Sequence, residues 1–177
     1  MKEACKKRGQ IWVETVIYTM IAFLMIGLVL AFARPKIEET QDKAIIEQSI
    51  ALMEEIDLTI SEIVQGSAGN KRIMDMGIKK GFLKINGANN SLVFELEGKY
   101  TYSEPGIEIS NGNLIIVTEQ IGKINNVNIT RNYNYNLTYE DGDVLKSFGK
   151  SATPYTLLIS NNGKDAQNKI IIDFKIN

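Results

Sequence analysis

The sequence predicts an α+β protein in which a long N-terminal helix, membrane-spanning and then amphipathic, packs on a C-terminal, mostly antiparallel β-sheet or small β-sandwich. Three observations predict it. An apolar run fills Ile11 to Ala33; a stretch without Gly or Pro, Lys36 to Val64, repeats its apolar residues at helical spacing; and beyond Lys71 the pattern changes to short strand-like runs separated by Asn-Gly and Asp-Gly. At 177 residues the chain fits one compact domain plus an appendage.

The apolar run comes first. Between Ile11 and Ala33 the only formal charge is Glu14. About 23 residues at 1.5 Å each make a helix near 35 Å long, enough to cross a bilayer. Lys2, Lys6, Lys7 and Arg8 precede the run against Glu3 alone, while Arg34 and Lys36 follow it. The larger cationic excess at the N-terminal flank places Met1 in the cytoplasm and everything after Arg34 outside. A cleaved secretory signal would be shorter and end in small residues, whereas this run continues into a charged helical stretch.

That stretch carries Ile46, Ile50, Met53, Ile56, Ile60 and Ile63 in steps of three and four, one stripe on a helix. Glu38, Glu39, Asp42, Glu47, Glu54, Glu55 and Glu62 are read as its polar surface. Pro35 lies at the seam, where the lost backbone donor is expected to kink the helix without ending it. Gly66-Ser67-Ala68-Gly69-Asn70 is expected to stop it. The resulting organisation is a basic segment over 1–9, a helix over 10–65 (10–34 membrane-spanning, 35–65 amphipathic) and an extracellular β-rich domain over 66–177.

Strands are expected near Phe82 to Asn86, Leu92 to Tyr102, Ile107 to Ile109, Leu114 to Gln120, Val127 to Tyr139, Tyr155 to Ser160 and Ile170 to Ile176. Hairpin turns are expected at Asn86-Gly87, Asn111-Gly112, Asp141-Gly142 and Asn162-Gly163, whose residue types tolerate positive backbone dihedrals. The helix stripe is the expected cover for one face of the sheet. Within Val127 to Tyr139, Tyr133, Tyr135, Leu137 and Tyr139 alternate with Asn132, Asn134, Asn136 and Thr138, giving an aromatic face and an amide face. Packing of the aromatic face against the helix is favoured over a surface that stacks on sugars or a partner.

Composition narrows the chemistry. Lys and Arg number 20 against 21 Asp and Glu, so no net positive field points to nucleic acid. Histidine is absent and Cys5 is the only cysteine, which excludes a histidine base, an intramolecular disulfide and the usual zinc ligand sets. No catalytic constellation, metal site or cofactor motif is expected. Glu140-Asp141-Gly142-Asp143 lacks the later ligands of a calcium loop and is read as a turn. Gly66 to Lys71 lacks the Gly-Lys-Ser/Thr ending of a phosphate loop.

The junction Lys6-Lys7-Arg8-Gly9-Gln10-Ile11-Trp12-Val13-Glu14 resembles the class III (prepilin) signal peptide of type IV pilins, and its opening Gln-x-x-x-Glu is closer to archaeal than to bacterial pilins. The resemblance covers about the first 55 residues. It implies that a prepilin peptidase cuts between Gly9 and Gln10, after the basic Lys6, Lys7 and Arg8, removing residues 1–9. It further implies a pilin-like lollipop, with Glu14 as the fifth mature residue meeting the new amine of a neighbouring subunit. The implied partners are copies of the chain or other pilins in a helical filament, the peptidase, a pilus assembly platform with its ATPase, and membrane lipid before assembly. The implied location is the cytoplasmic membrane, N-terminus in, and then a surface filament serving, for example, cell adhesion.

Glu14 has a plainer reading as well, solvated at the cytoplasmic interface one helical turn from the basic flank. Three Asn-x-Ser/Thr sequons, at Asn89, Asn128 and Asn136, fall in the segment expected outside the cell and are candidate N-glycosylation sites. The functional expectation is a structural subunit, major or minor, of a type IV pilus-like filament. The alternative is a single-pass membrane-anchored extracellular module that binds a ligand or another cell and does not assemble.

Overall fold

The computed structural model describes residues 2–176, with side chains described for residues 12–176. The residues group into two compact units, Met1–Thr40 and Gln41–Asn177. One helix, α1 (Lys2–Gln65), supplies the whole of the first unit and the opening of the second. It begins within the segment read as a leader and passes through Pro35 without interruption. Proline has no N–H to give, so the carbonyl of Ala31 loses its helical partner there.

In the second unit the predicted stripe is the buried one: Ile46, Ile50, Met53, Ile56, Ile60 and Ile63 are all 5 % exposed or less. The helix is amphipathic here because these residues recur every three or four positions and so share one face. It ends at Gln65, where the Gly66 N–H bonds to the Ile63 carbonyl and the Asn161 side chain donates to the same oxygen at 3.4 Å. The segment after it is stitched to Asn161 as well, through Gly69 N–H to Asn161 O and Asn161 N–H to Asn70 O.

Ten strands follow: β1 (Lys71–Met76), β2 (Phe82–Asn86), β3 (Ser91–Gly98), β4 (Glu108–Asn111), β5 (Leu114–Ile121), β6 (Ile124–Asn132), β7 (Asn136–Tyr139), β8 (Leu145–Gly149), β9 (Tyr155–Lys164) and β10 (Ile170–Ile176). They make two sheets, a six-stranded one ordered β4-β5-β6-β3-β2-β8 and a four-stranded one ordered β1-β9-β10-β7. All pairings are antiparallel except β7 with β10. The helix stripe and the inward residues of both sheets form one core, with Leu83, Ile85, Leu92, Phe94, Ile116 and Ile129 from the larger sheet and Met76, Leu157, Ile159, Ile172 and Phe174 from the smaller. The long helix packed on an antiparallel-rich β region is therefore the fold.

Three details differ from the sequence reading. Val127 to Tyr139 is not one strand: β6 ends at Asn132 and the chain crosses at residues 133–135 into the other sheet as β7. The crossing is held by Asn90, whose carbonyl accepts from Tyr133 N–H and whose side-chain oxygen accepts from Leu137 N–H at 2.8 Å. Thr138, assigned to the amide face opposite the one expected to pack on the helix, is buried and donates to Asp173 at 2.7 Å. Asn162-Gly163 is not a turn but lies inside β9, where Gly163 takes φ +91° beside a register shift; the reversal comes later, with Asn168 at φ +65°.

Two strands, β1 and β8, were not anticipated. β1 reads Lys-Arg-Ile-Met-Asp-Met and β8 reads Leu-Lys-Ser-Phe-Gly, each too charged or too short to show a full alternation. Tertiary pairing makes them strands: β1 lies along β9 over six residues and β8 along β2 over five.

Candidate anchoring and assembly surface

From Trp12 to Phe32 every residue of α1 is exposed, including Trp12 at 72 %, Phe23 at 75 % and Phe32 at 77 %. The most apolar 18-residue window has a mean hydropathy of 2.5 and no buried residue. A helix apolar on all faces is stable only when something other than water surrounds it. Its length and composition suffice to cross a membrane. Polar atoms are kept internal where possible, as when the Thr19 hydroxyl donates to the Val16 carbonyl at 2.8 Å. Glu14 stands exposed at the N-terminal end of this surface. The side chains of Lys6, Lys7, Arg8 and Gln10, and the residue Gly9 read as the cleavage point, lie outside the residues whose side chains are described.

The other half of α1 is fastened by two buried carboxylates. Asp42, read from sequence as surface, is 9 % exposed. Its Oδ1 accepts from Lys80 Nζ at 2.6 Å and its Oδ2 from the Lys99 N–H at 2.7 Å. Gly98 is required beside it, since a Cβ there would lie 2.7 Å from Asp42 Oδ2. Asp57, 8 % exposed, accepts from Arg131 Nε at 2.7 Å and from Asn113 Nδ2 at 3.0 Å. The sequence did carry a signal for both: Asp42 lies four residues before Ile46 and Asp57 four after Met53, so each continues the apolar stripe. A carboxylate on a buried stripe needs a cation and donors waiting on the sheet.

Tyr133 completes the second fastening. Its ring is 4.8 Å from the Arg131 guanidinium, in cation–π geometry, and its hydroxyl is buried with no hydrogen-bond partner among the described residues. Burial first, and then the Asp57 carboxylate, hold the phenol well above the usual tyrosine range, against the opposing effect of Arg131. Burial, then Glu47, raises Tyr102 as well, and burial, then Glu140, raises Tyr139. Of the alternating aromatics, Tyr133 is buried beside an acid of the helix, whereas Tyr139 packs on Phe148 with ring centroids 5.8 Å apart.

A shallow cavity of about 250 Å³ is lined by Lys80, Gly81, Phe82, Glu95, Glu97 and Asn126. It joins no nucleophile to a base, and both oxygens of Glu95 are held by Lys84 at 2.6 Å. No cluster of three or more metal-ligating side chains occurs among the described residues. Glu140-Asp141 is the two-residue loop of a tight turn, with φ +49° and +62°, closed by reciprocal hydrogen bonds between Tyr139 and Gly142.

The three sequons occupy different settings. Asn89 is exposed in the β2–β3 turn. Asn128 lies in β6 between Val117 and Glu95, its amide oxygen enclosed. Asn136 opens β7 and donates its amide to Asp165 at 2.5 Å. Comparison with protein-family models, with curated proteins and with solved structures finds no match.

Proposed function

We propose that this chain is a structural subunit, major or minor, of a type IV pilus-like surface filament, assembled through its hydrophobic N-terminal helix after cleavage between Gly9 and Gln10. One observation carries the reading: a helix segment apolar on every face, uncovered by its own chain and carrying a single carboxylate near its start. Lipid covers such a surface before assembly, and the same segments of neighbouring copies cover it afterwards. The β-rich unit, which completes its own core, stays outside. Cleavage creates a cationic amine at Gln10, and the Glu14 carboxylate of an adjacent copy neutralises it as both leave water. The peptidase, an assembly platform and its ATPase are the partners this cycle needs, in an archaeal cell envelope by the resemblance of the leader.

Two measurements test it. N-terminal sequencing of protein from sheared surface material should start at Gln10; an intact Met1 on protein confined to the membrane would instead mark a tethered binding module. Glu14→Ala should leave membrane insertion unchanged and lower filament yield at least several-fold, as expected when one partner of a desolvated charge pair is lost. Normal yield from that variant would remove Glu14 from the assembly step.

A further inference from the structure

The three sequons are chemically alike, and the fold treats them differently. A sequon is an acceptor when its asparagine can stand on a surface loop, because the attached sugar is bulky and must remain in water. Asn89 meets that condition. It lies in the four-residue turn from Gly87 to Asn90, is exposed, and only its backbone is engaged, its N–H donating to Asn86 Oδ1 at 3.2 Å. Among the described residues, no hydrogen bond or ion pair involves its side-chain amide.

Asn136 is in the opposite situation. Its amide donates to Asp165 Oδ2, while Asp165 Oδ1 accepts from the backbone N–H groups of Gln167 and Lys169, both at 2.8 Å. The Asn136 amide is thus one corner of a network tying β7 to the β9–β10 turn, and a sugar on that nitrogen leaves it a single N–H and must fit beside Asp165. Asn128 lies mid-sheet, in register with Glu95 on one side and Val117 on the other, with its amide oxygen shut off from solvent. A sugar on its Nδ2 must be accommodated among the neighbouring side chains of the sheet.

From these contrasts we propose that Asn89 is the N-glycosylated residue of the mature protein, and that molecules reaching this fold are bare at Asn128 and Asn136. The proposal rests on the surface-exposed placement of the β unit in the filament reading. It also fixes an order of events. Ser91, the hydroxyl residue of the Asn89 sequon, is 5 % exposed and already paired at the start of β3 with Asn86 and Asn132. The transferase must read that hydroxyl, so the sugar is attached before β2, β3 and β6 close.

The test is peptide mapping by mass spectrometry of the full-length protein from its native host, before and after release of N-linked sugars. The peptide containing Asn89 should carry a saccharide mass, and those containing Asn128 and Asn136 should have the mass of the bare sequence. Asn89→Gln should lower the intact mass by one whole saccharide. A bare Asn89, or a saccharide on Asn128 or Asn136, overturns the proposal. Whole-cell labelling of a Lys123→Cys variant with a membrane-impermeant maleimide separates the two failures. Labelled cells with a bare Asn89 sink the proposal and leave the surface placement standing, whereas unlabelled cells sink both.

Discussion

Residues 12–32 and residues 46–63 belong to one helix and are both rich in large apolar side chains, yet the first set is exposed, whereas the stripe from Ile46 to Ile63 in the second is buried. The difference lies in arrangement. In the second segment the large apolar residues, apart from the exposed Leu58, keep mainly to one face, and other positions carry Glu47, Glu54, Glu55 and Glu62 to water. One sheet-side surface can cover such a stripe. In the first segment Trp12, Val16 and Phe23 lie on the side of the helix opposite Tyr18, Met25 and Phe32, so no single packed face could cover them. Periodicity decides whether a helix completes the core of its own chain or needs a medium around it.

The comparison breaks most visibly if the helix is cut at the seam. A fragment beginning at Lys36 keeps every core residue and discards the exposed apolar surface. It should remain monodisperse without detergent and give a circular dichroism spectrum with both helix and strand contributions, whereas the full chain should require detergent or lipid. Aggregation of the fragment, or a helical signal alone, would show that the β unit depends on the first segment. Since Trp12 is the only tryptophan, its emission in the full chain should report lipid or filament surroundings and stay silent on unfolding of the β unit.

Paired substitutions sharpen the same contrast. Ile56 is fully buried and Leu28 is 56 % exposed. Ile56→Ala should cost about 4 kcal/mol in chemical unfolding followed by strand dichroism, from lost burial plus the cavity left behind. Leu28→Ala should change that transition by less than about 0.5 kcal/mol, in the range of surface substitutions. Equal effects would mean that the two segments are stabilised in the same way.

How far the sequence could be read follows from the same physics. The stripe from Ile46 to Ile63, the bounds of β2 and β10, and the turn expected at Asn111-Gly112, whose loop residues prove to be Gly112 and Asn113, were legible because each depends on a local pattern: a period, an alternation, a residue able to take positive φ. What was not legible depends on partners distant in sequence. β1 needs β9, 84 residues on by the middle of their register, and Asp42 becomes a buried anchor only because Lys80 and the Lys99 N–H meet it. The break after Asn132 is invisible in the alternation of Tyr and Asn, since Asn90 enforces it from another turn. The sequons likewise look equivalent until strand pairing distinguishes a free turn residue from two that the sheets hold.

The smallest effect concerns the proton that the second fastening will not release. Below the ordinary tyrosine pKa of 10.0 the Tyr133 phenol is neutral in both folded and unfolded chains and contributes no pH dependence. Above it the unfolded chain loses the proton while the folded one keeps it, because burial and the Asp57 carboxylate oppose a phenolate. Unfolding then releases a proton, so stability is fully present below pH 10 and declines as pH rises, by at most about 1.4 kcal/mol per pH unit for each such group. Tyr133→Phe removes one of these groups, and because the hydroxyl has no hydrogen-bond partner among the described residues, the change near neutral pH should stay within about 1 kcal/mol. Denaturant midpoints between pH 8 and 11.5 should fall less steeply in the variant than in the parent, though not flatten, since Tyr102 and Tyr139 are raised in the same direction. Identical slopes would mean that the phenol ionises in the folded protein and that the β unit closes around Asp57 and Arg131 less tightly than the burial of Tyr133 indicates.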